Sequence, residues 1–234
     1  MILEIKNLVS GYGDLEVLRG VSISIAHGEA VCLIGPNGAG KSTVLKSIVG
    51  LTNIKSGEIS WKANPISNFP THSLLKLGIG FVPQGRLVFP TLTVRENLEM
   101  GGYLVKGKEV KEERLEKVFG HFPVLRRKDK TRAASLSGGE QQMLAVGRAL
   151  MMTPEMLMLD EPSLGLAPKI TQELYEKLME LNSSGTTLFI VEQNVRLVLR
   201  YASRGYLLAG GAVKFSGTAK ELSSEKLMHE AYLI

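Results

Sequence analysis

The chain has 234 residues, of which 44% are hydrophobic and 22% are charged. A chain of this length can bury a sizeable core without disulfides or structural metals. Its composition excludes collagenous, low-complexity and wholly disordered proteins. The 28 basic and 23 acidic residues give a formal net charge of +5. That excess is small for a nucleic-acid-binding protein, so we expect no nucleic-acid partner.

The single cysteine and the N-terminal residues bear on the cellular compartment. Cys32 cannot form an internal disulfide, and it lies in an apolar run where a buried, inert thiol is expected. The first residues lack the basic and apolar segments of a secretory signal. No apolar stretch approaches the ~20 residues that a transmembrane helix needs. We therefore expect a cytosolic chain whose membrane role comes through a partner.

The first 34 residues show the alternation of apolar and polar side chains that is typical of strands. Alternation occurs over 3–8 and 17–25, whereas 30–34 is continuously apolar. This order predicts an antiparallel layer that leads into a buried strand of a parallel sheet. The predicted fold class is therefore α/β. Further buried strands, separated by helical stretches, are predicted at 79–82, 156–159 and 187–191.

A helical subdomain is predicted over residues 91–150, inserted between two strands of the core. Thr93 and Glu96 have the spacing of a capping box, in which each side chain accepts the backbone N–H of the other residue. The segment 106–122 is rich in charged residues with apolar residues interspersed, as in a surface helix. These features separate the segment from the strand-rich remainder of the chain.

Near the C-terminus, the sequence predicts a hairpin and a short closing helix. The segment 206–215 has strand character on both sides of Gly210 and Gly211, which are residues typical of a tight turn. A short helix is expected from about residue 219. The sequence shows no internal repeat and no appended regulatory part, so we expect a single domain over residues 1–234.

The segment 35–43 has the pattern of a phosphate-binding loop, and it lies between an apolar strand and a helical stretch, as this loop requires. Its glycines let backbone N–H groups curl around phosphate oxygens. Lys41 places a positive charge at the β- and γ-phosphates, and the Ser42 hydroxyl can ligate Mg²⁺. The alternative is a glycine-rich turn without a ligand. The candidate residues are Gly35, Pro36, Asn37, Gly38, Ala39, Gly40, Lys41, Ser42 and Thr43.

Two carboxylates follow the apolar strand predicted at 156–159. Such strand ends bring acidic groups to the edge of an α/β sheet where phosphates bind. Asp160 suits Mg²⁺, reached through the water shell of the ion, and Glu161 suits a base that orients an attacking water. The alternative is an acidic turn before Pro162 without a chemical role.

A second pair of glycines opens another predicted helix. Ser137 and Glu140 have the spacing of a capping box, and helix capping alone is the simplest interpretation. Gly138 and Gly139, however, leave the backbone N–H groups at the helix start uncovered, which makes a second anion site. The first loop does not need this site for itself. We therefore expect Ser137, Gly138 and Gly139 to serve a nucleotide that another subunit holds.

Three segments, in this order, resemble an ATP-binding cassette (ABC) ATPase: the loop at 35–43, Leu-Ser-Gly-Gly-Glu at 136–140 and the acidic strand end at 157–161. The resemblance covers the whole chain. It implies a P-loop NTPase core with a mixed or parallel sheet, an N-terminal antiparallel β layer and an inserted α-helical subdomain. It also implies ATP and Mg²⁺ as ligands, and two cassettes that sandwich two ATP molecules head to tail and drive a pair of transmembrane permease subunits.

The same resemblance implies roles for further residues. Tyr12 is similar to the aromatic residue that stacks on adenine in the family, and Gln84 is similar to the glutamine of its Q-loop. Gln193 lies where the family has a residue near the γ-phosphate. The implied catalytic residues are Glu161, Gln193 and Gln84, and the implied metal ligands are Ser42, Gln84 and Asp160.

Three short segments resemble, more narrowly, the second ATPase of bacterial branched-chain amino-acid importers. They are 82–90, 162–168 and 191–194. This resemblance implies an ATPase subunit at the cytoplasmic face of the cell membrane, held there by permease subunits and working indirectly with a solute-binding protein. Leu87 and Phe89 lie in the first of these segments, and we expect the permease to contact them.

Two positions depart from the general pattern of the family. Gln193 stands where most relatives carry a histidine, and no histidine lies near it in the sequence. A glutamine amide can donate a hydrogen bond towards the γ-phosphate but cannot become cationic, so it stabilises the transition-state charge less. Ala167 stands where an aspartate is common, which removes a polar contact expected between cassettes. Both departures lower the activity expected of a homodimer.

Two other functions remain open at this point. A soluble ABC ATPase acting on nucleic acid, ribosomes or cluster assembly usually has two fused cassettes or a long coiled-coil insertion, and this sequence shows neither. A nucleotide-binding regulator without turnover would require Glu161 to be dispensable. The second cassette of the dimer is either an identical or a homologous chain.

Overall fold

The structure, a computed structural model, describes residues 1–67 and 69–224 of the chain. Within them, strands form one four-stranded and one six-stranded sheet. The strands of the smaller sheet are β1 (Leu3–Tyr12), β2 (Leu15–Ile25), β4 (Asn53–Trp61) and β5 (Asn64–Pro65). They lie in the order β2-β1-β4-β5, and all their pairings are antiparallel. This is the N-terminal antiparallel layer that the sequence predicts.

The six-stranded sheet carries the strands that position the candidate site. Its strands are β3 (Ala30–Ile34), β6 (Ile79–Val82), β7 (Met156–Asp160), β8 (Thr187–Val191), β9 (Arg204–Ala209) and β10 (Ala212–Thr218). The order is β10-β9-β3-β8-β7-β6, and β10 pairs with β9 as the antiparallel edge while the other pairs are parallel. The carboxyl ends of β3, β7 and β8 therefore meet at one edge of the sheet.

The helices lie mainly between the strands of the larger sheet. They are α1 (Lys41–Ile48), α2 (Thr71–Leu74), α3 (Val94–Gly101), α4 (Lys108–His121), α5 (Pro123–Arg127), α6 (Gly138–Leu150), α7 (Pro168–Ser183), α8 (Val195–Val198) and α9 (Ala219–Leu222). The closing helix predicted from about residue 219 corresponds to α9, and the predicted hairpin corresponds to β9 and β10. Among the described residues, no helix is long and apolar enough to cross a membrane.

Helices α3 to α6 follow one another between β6 and β7, as the insertion predicted by the sequence requires. Both predicted capping boxes are present. The N–H of Glu96 donates to Thr93 Oγ1 at 3.2 Å, and the carboxylate of Glu96 accepts the Thr93 N–H at 2.7 Å. The corresponding distances between Ser137 and Glu140 are 3.4 and 2.9 Å. Each box satisfies backbone donors that a helix start would otherwise leave unpaired.

Strands β4 and β5 are absent from the expectations above, and the reason lies in their side chains. In β4, only the last three residues are buried, and Gly57 interrupts the strand with a φ of 87°. A Cβ at Gly57 would lie 2.5 Å from the carbonyl oxygen of Asn7, so glycine permits the close approach to β1. The strand forms because the edge of β1 supplies its hydrogen-bond partners, which a local pattern does not reveal.

The six-stranded sheet separates two apolar clusters. In β3, Val31 and Leu33 face a cluster that includes the antiparallel layer and α1, while Cys32 and Ile34 face a cluster that includes α3 to α7. Burial on both faces explains why 30–34, 156–159 and 188–191 are continuous apolar runs. Cys32 is buried, as the sequence predicts, and burial raises the pKa of its thiol to about 12.

Candidate functional site

The loop from 35 to 40 connects the end of β3 with the start of α1. Glycines are required in this loop for two reasons: a side chain would clash with a neighbouring strand, and the backbone adopts a left-handed conformation. A Cβ at Gly35 would lie 2.0 Å from the carbonyl oxygen of Leu208 on β9. Gly40 precedes α1 with a φ of 101° in the left-handed region. The loop can therefore turn tightly against the sheet and direct its backbone N–H groups towards an anion at the start of α1.

Lys41, the first residue of α1, lies within this loop. Its side chain is buried, and its Nζ donates to the carbonyl oxygens of Gly35 at 2.9 Å and Pro36 at 3.1 Å. Burial lowers the pKa of Lys41, while the charges of Glu161 and Asp160 act in the opposite direction. The ammonium group is thus held by two carbonyl oxygens of the loop, within range of the charges of both carboxylates, and is placed to bind phosphate oxygens at the start of α1.

Asp160 ends β7 and faces the start of α1. The Ser42 hydroxyl donates to Asp160 Oδ1 at 2.9 Å, so a hydroxyl and a carboxylate converge beside the loop. Burial raises the pKa of Asp160, and the hydrogen bond from Ser42 and the charges of Lys46 and Lys41 partly offset this effect. Hydroxyl and carboxylate oxygens are the ligand types that Mg²⁺ prefers.

Glu161 lies one residue beyond the strand and turns towards the same space. Its φ of 48° is left-handed, which is uncommon for a residue other than glycine. Its N–H donates to the carbonyl of Val191 at 2.9 Å, and its Oε2 accepts a hydrogen bond from Gln84 Nε2 at 2.9 Å. Burial raises the pKa of Glu161, which shifts this carboxylate towards the proton affinity of a general base.

Lys41, Ser42 and Glu161 share one cleft of about 480 Å³. The phosphate loop and α1 form one wall, and residues after β6, β7 and β8 form the other. Gln193, from the turn after β8, lines it together with Gln84 and Glu161. Val17 and Leu164 also line it, although the sequence analysis does not select them. The predicted site residues that line the cleft are Asn37, Gly38, Gly40, Lys41, Ser42, Thr43, Gln84, Glu161 and Gln193.

Tyr12 lies at the end of β1, beside the lining residues of this cleft rather than among them. Its side chain is 41% exposed, and Lys46 Nζ of α1 lies 6.0 Å from the ring centroid. Lys46 is also close enough to Asp160 to affect the pKa of that carboxyl. The Tyr12 ring is thus open to solvent beside Lys46 of α1, where a planar group could stack on it.

Ser137, Gly138 and Gly139 lie at the start of α6, and none of them lines the cleft around Lys41. Arg86 contacts this region. Its guanidinium lies so close to Gly138 that a Cβ there would be 2.2 Å from Nη1. Arg86 Nη2 also donates to the carbonyl oxygens of Leu164 at 3.0 Å and Gly165 at 2.7 Å. Arg86 therefore joins the segment after β6 to the segment after β7.

The sequence analysis assigns no role to Arg86 or to Glu192. Glu192 is the residue after β8, and its carboxylate is buried beneath the turn that carries Gln193. The signal that selects Asp160 and Glu161, a carboxylate directly after an apolar strand, is also present at Glu192. No comparable signal marks Arg86, because its contacts are with backbone groups almost 80 residues away in the sequence.

Comparison with known proteins identifies the family. A family model described as ABC transporter matches residues 18–164. The chain is 42% identical to the high-affinity branched-chain amino acid transport ATP-binding protein BraG of Pseudomonas aeruginosa, and the alignment covers 99% of each chain. It is 41% identical to the probable branched-chain amino acid transport ATP-binding protein LivF of Archaeoglobus fulgidus, over 99% of this chain and 96% of that protein.

Solved structures agree with this assignment. An ATP-binding cassette of an ABC transporter in its ADP conformation has a TM-score of 0.87 and 31% identity, over 99% of this chain and 98% of that one. A dimeric cassette in a post-hydrolysis state, bound to ADP and Pi, has a TM-score of 0.82 and 28% identity, over 93% and 98%. The fold class predicted from the sequence is confirmed. The chain belongs to the ABC transporter family and is an ATP-binding, ATP-hydrolysing subunit of that family.

Proposed function

We propose that the chain binds ATP with Mg²⁺ in the cleft around Lys41 and hydrolyses it to drive a membrane permease for branched-chain amino acids. One observation carries the enzymatic part. Lys41, Ser42 and the Gln84–Glu161 pair line one cleft, and Asp160 accepts the hydroxyl hydrogen bond of Ser42 at its wall. A phosphate anchor, a set of hard oxygen ligands and a base are the groups that phosphoryl transfer to water requires.

Binding of the nucleotide rests on the loop and on α1. The N–H groups of 35–40 and the Lys41 ammonium hold the phosphates, and Tyr12 stacks on the adenine. The oxygens of Ser42 and Asp160, 2.9 Å apart, fit Mg²⁺, with the Gln84 amide oxygen as a third protein ligand. When bound, this ion neutralises charge on the phosphate oxygens.

Hydrolysis rests on the opposite wall of the cleft. Glu161 accepts a proton from the attacking water and orients it, and its raised pKa favours that role. Gln84 donates to Glu161 Oε2 and so limits the orientations of the carboxylate. Gln193 donates a hydrogen bond to the γ-phosphate from the end of β8.

The test of nucleotide binding is the substitution Lys41→Ala. Loss of the lysine side chain removes the positive charge that faces the phosphates. ATP binding should therefore become undetectable by titration calorimetry in the presence of Mg²⁺. Lys55→Ala is the matched control, because Lys55 is an exposed lysine outside the lining of this cleft, and its Nζ donates to the backbone carbonyl of Asp14 at 2.9 Å. Retained micromolar affinity in Lys41→Ala would remove the phosphate loop from the site.

A second cassette completes the site in this proposal. Ser137, Gly138 and Gly139 lie at the start of α6 outside the cleft of their own chain, and in this proposal they face a nucleotide held by another cassette. The dimeric relative bound to ADP and Pi supports such an arrangement. The second cassette is either an identical or a homologous chain.

An apolar groove beside the cleft is the proposed contact with the permease. Leu87 and Phe89 are 57% and 43% exposed, and the groove at Phe89 has a volume of about 320 Å³. Met100 and Tyr103 extend the apolar surface along the end of α3. Exposed apolar groups of this density are typical of protein contacts, so a short helix of a transmembrane subunit fits here.

Hydrogen bonds fix the segment of Leu87 and Phe89 to two helices of the inserted segment. Asn97 of α3 holds Phe89 on both sides of its backbone, since its Oδ1 accepts the Phe89 N–H at 2.8 Å and its Nδ2 donates to the Phe89 carbonyl at 3.0 Å. Arg148 of α6 donates to the carbonyl of Leu87, and its guanidinium lies 5.1 Å from the Phe89 ring centroid. Leu87 and Phe89 are thus tied to α3 and α6, and we infer that movement at Gln84, which lies earlier in the same segment, reaches both helices.

The transported solute is inferred from the relatives. BraG and LivF are both named as branched-chain amino acid transport proteins, and each aligns over nearly the whole chain. These relatives favour an importer subunit over a soluble ABC ATPase acting on nucleic acid, ribosomes or cluster assembly. The chain would then lie at the cytoplasmic face of the cell membrane, held there by permease subunits. It would work indirectly with a solute-binding protein.

The permease contact is tested by replacing Leu87 and Phe89 together with serine. Loss of the apolar surface should reduce co-purification with membrane proteins of the native complex, while ATP affinity stays within about twofold of wild type. Leu51→Ser is the control, because Leu51 is exposed and does not line the groove. An unaffected complex would move the permease contact elsewhere.

A further inference from the structure

Glu192 is a buried carboxylate next to the cleft that the reaction above does not use. It follows β8 directly, its side chain is among the most buried charged groups at 1% exposure, and its N–H continues the sheet by donating to the carbonyl of Leu33 at 3.2 Å. Among residues 1–67 and 69–224, no basic side chain forms an ion pair with it. Hydrogen bonds must therefore compensate its charge.

One oxygen of this carboxylate binds the segment that follows Glu161. Oε1 accepts the backbone N–H of Ser163 at 3.0 Å and the hydroxyl of Tyr175 at 3.0 Å. Tyr175 lies on α7, and its ring stacks on that of Tyr201 with centroids 4.7 Å apart. Burial, followed by the charge of Glu192, raises the pKa of Tyr175 well above its usual range, so the hydroxyl remains a donor.

The other oxygen binds the turn that carries Gln193. Oε2 accepts the N–H of Gln193 at 3.2 Å and the N–H of Asn194 at 3.4 Å. Asn194 in turn caps α8, because its Oδ1 accepts the N–H of Leu197 at 3.1 Å. The direction of the Gln193 side chain therefore depends on a turn whose two amides are both bound by one oxygen of Glu192.

We propose that Glu192 is a positioning residue for ATP hydrolysis, whose two carboxylate oxygens join the segment after Glu161 to the turn of Gln193. The inference rests on the proposed function. Both connected segments contribute to the nucleotide cleft, through Glu161 and Leu164 on one side and Gln193 on the other. They also border a smaller cavity of about 250 Å³, which Glu192 itself lines.

Only a carboxylate supplies acceptors to both segments at once. A glutamine side chain of the same size has one acceptor oxygen and one NH₂ group. In Glu192→Gln, the NH₂ group would face either the Ser163 N–H and Tyr175 hydroxyl or the amides of Gln193 and Asn194. One of the two connections is then lost, whichever way the amide turns, while the shape of the buried side chain is kept.

The experiment is single-turnover ATP hydrolysis by the full chain, with ATP affinity measured in parallel. Glu192→Gln should lower the rate of the chemical step by between about tenfold and a hundredfold, because a group displaced by about 1 Å costs that much. The Kd for ATP should stay within about twofold of wild type, since no hydrogen bond among the described residues joins the Glu192 side chain to the phosphate loop or to Lys41. The charge of Glu192 does act on Lys41, and Glu192→Asp, which keeps that charge, controls for this effect. A general loss of structure would instead weaken binding and hydrolysis together.

Tyr175→Phe is the matched control. It removes one donor to Oε1 but leaves all three backbone amides bound to the carboxylate, so hydrolysis should stay within about twofold of wild type. If Glu192→Gln does not fold, Glu192→Asp answers the same question. Aspartate keeps the charge and both oxygens but is one methylene shorter, so it reaches only one segment and should lower the rate by the same factor of about tenfold to a hundredfold.

The outcomes separate this inference from the proposed function. A wild-type rate in Glu192→Gln, or in Glu192→Asp, would overturn the inference, and so would an equal fall in Glu192→Gln and Tyr175→Phe. The proposed function would remain intact in those cases, provided that wild type hydrolyses ATP and Glu161→Gln does not. A wild-type protein without hydrolysis, or a fully active Glu161→Gln variant, would instead overturn the proposed function.

Discussion

The ends of β7 and β8 are neighbours in the same sheet, and each is followed by a glutamate, but the two glutamates have different surroundings. Glu161 is half-buried at the cleft and accepts one side-chain hydrogen bond, from Gln84. Glu192 is buried and accepts four hydrogen bonds, three of them from backbone amides. Accessible oxygens are available for chemistry, whereas fully bonded ones hold their donors in place.

The difference between the two glutamates comes from the path of the backbone. At Glu161, a φ of 48° turns the residue out of the line of β7 and into the cleft. At Glu192, the chain continues in register with β3 for one further residue, which keeps the side chain beneath the turn. A carboxylate directly after an apolar strand thus indicates a residue at the site edge of the sheet. It does not indicate whether that carboxylate faces the cleft, as Glu161 does, or binds backbone donors, as Glu192 does.

The largest expected effect is on stability, and it separates the two glutamates directly. Glu192→Ala leaves the buried Tyr175 hydroxyl and three partly buried backbone amides without their acceptor, and should lower the free energy of unfolding by about 3 kcal/mol. Glu161→Ala loses one hydrogen bond to a partly exposed amide and should cost less than about 1 kcal/mol. Denaturant titration of both variants measures this difference. Equal losses would contradict the contrast between the two strand ends.

The next effect concerns the segment that follows Glu161. Arg86→Ala removes the donors to the carbonyls of Leu164 and Gly165 and should lower ATP hydrolysis about tenfold, which corresponds to about 1.4 kcal/mol in the barrier. Arg19→Ala, which removes an exposed arginine on β2, serves as the control. Steady-state hydrolysis is the measurement. Unchanged turnover in Arg86→Ala would mean that Glu192 alone holds the segment.

A smaller effect is expected at the start of α7, where the same segment ends. Ala167 occupies the N-cap position with extended backbone angles and provides no side-chain acceptor. Ala167→Asp should therefore raise the free energy of unfolding by about 1 kcal/mol. Ala167→Leu carries no acceptor and is the control. If thermal or chemical unfolding gave the same stability for both variants, the segment would end differently from the structure described.

The smallest effect is expected at Gln193 itself. Gln193→His should raise the turnover of the isolated chain about threefold, because an imidazole can carry positive charge as charge develops on the phosphoryl group. Gln193→Ala should lower turnover modestly. If a homologous cassette with its own histidine does most of the hydrolysis, all three proteins should behave alike in the assembled transporter. Equal rates both alone and assembled would show that Gln193 does not touch the γ-phosphate.

Much of the fold and the centre of the candidate site follow from local patterns in the sequence. The runs 30–34 and 187–191 match β3 and β8 to the residue, because strands buried on both faces need uninterrupted apolar side chains. The capping boxes at Thr93 and Ser137 are equally local, since each bonds residues three positions apart. Such features depend on neighbours in the sequence and are therefore visible there.

The features that the sequence did not reveal depend on partners far along the chain. β4 forms along the edge of β1, with Gly57 admitting the backbone of Asn7. Arg86 and Glu192 act mainly through backbone groups. Every residue has a carbonyl and almost every residue has an amide, so residue types do not reveal which of these groups they bind. Only the fold determines which amides surround a carboxylate, so the roles of Glu161 and Glu192 could not be told apart from their residue type.

The central claim is that the carboxylate after β7 acts on the attacking water. Glu161→Gln keeps the size of the side chain and its hydrogen bond partners but loses the basicity. Single-turnover ATP hydrolysis of this variant should be slower than wild type by about 10²–10⁴-fold, with the ATP Kd unchanged and the nucleotide trapped between two cassettes. Hydrolysis at the wild-type rate, with intact binding, would contradict the claim and reassign the base.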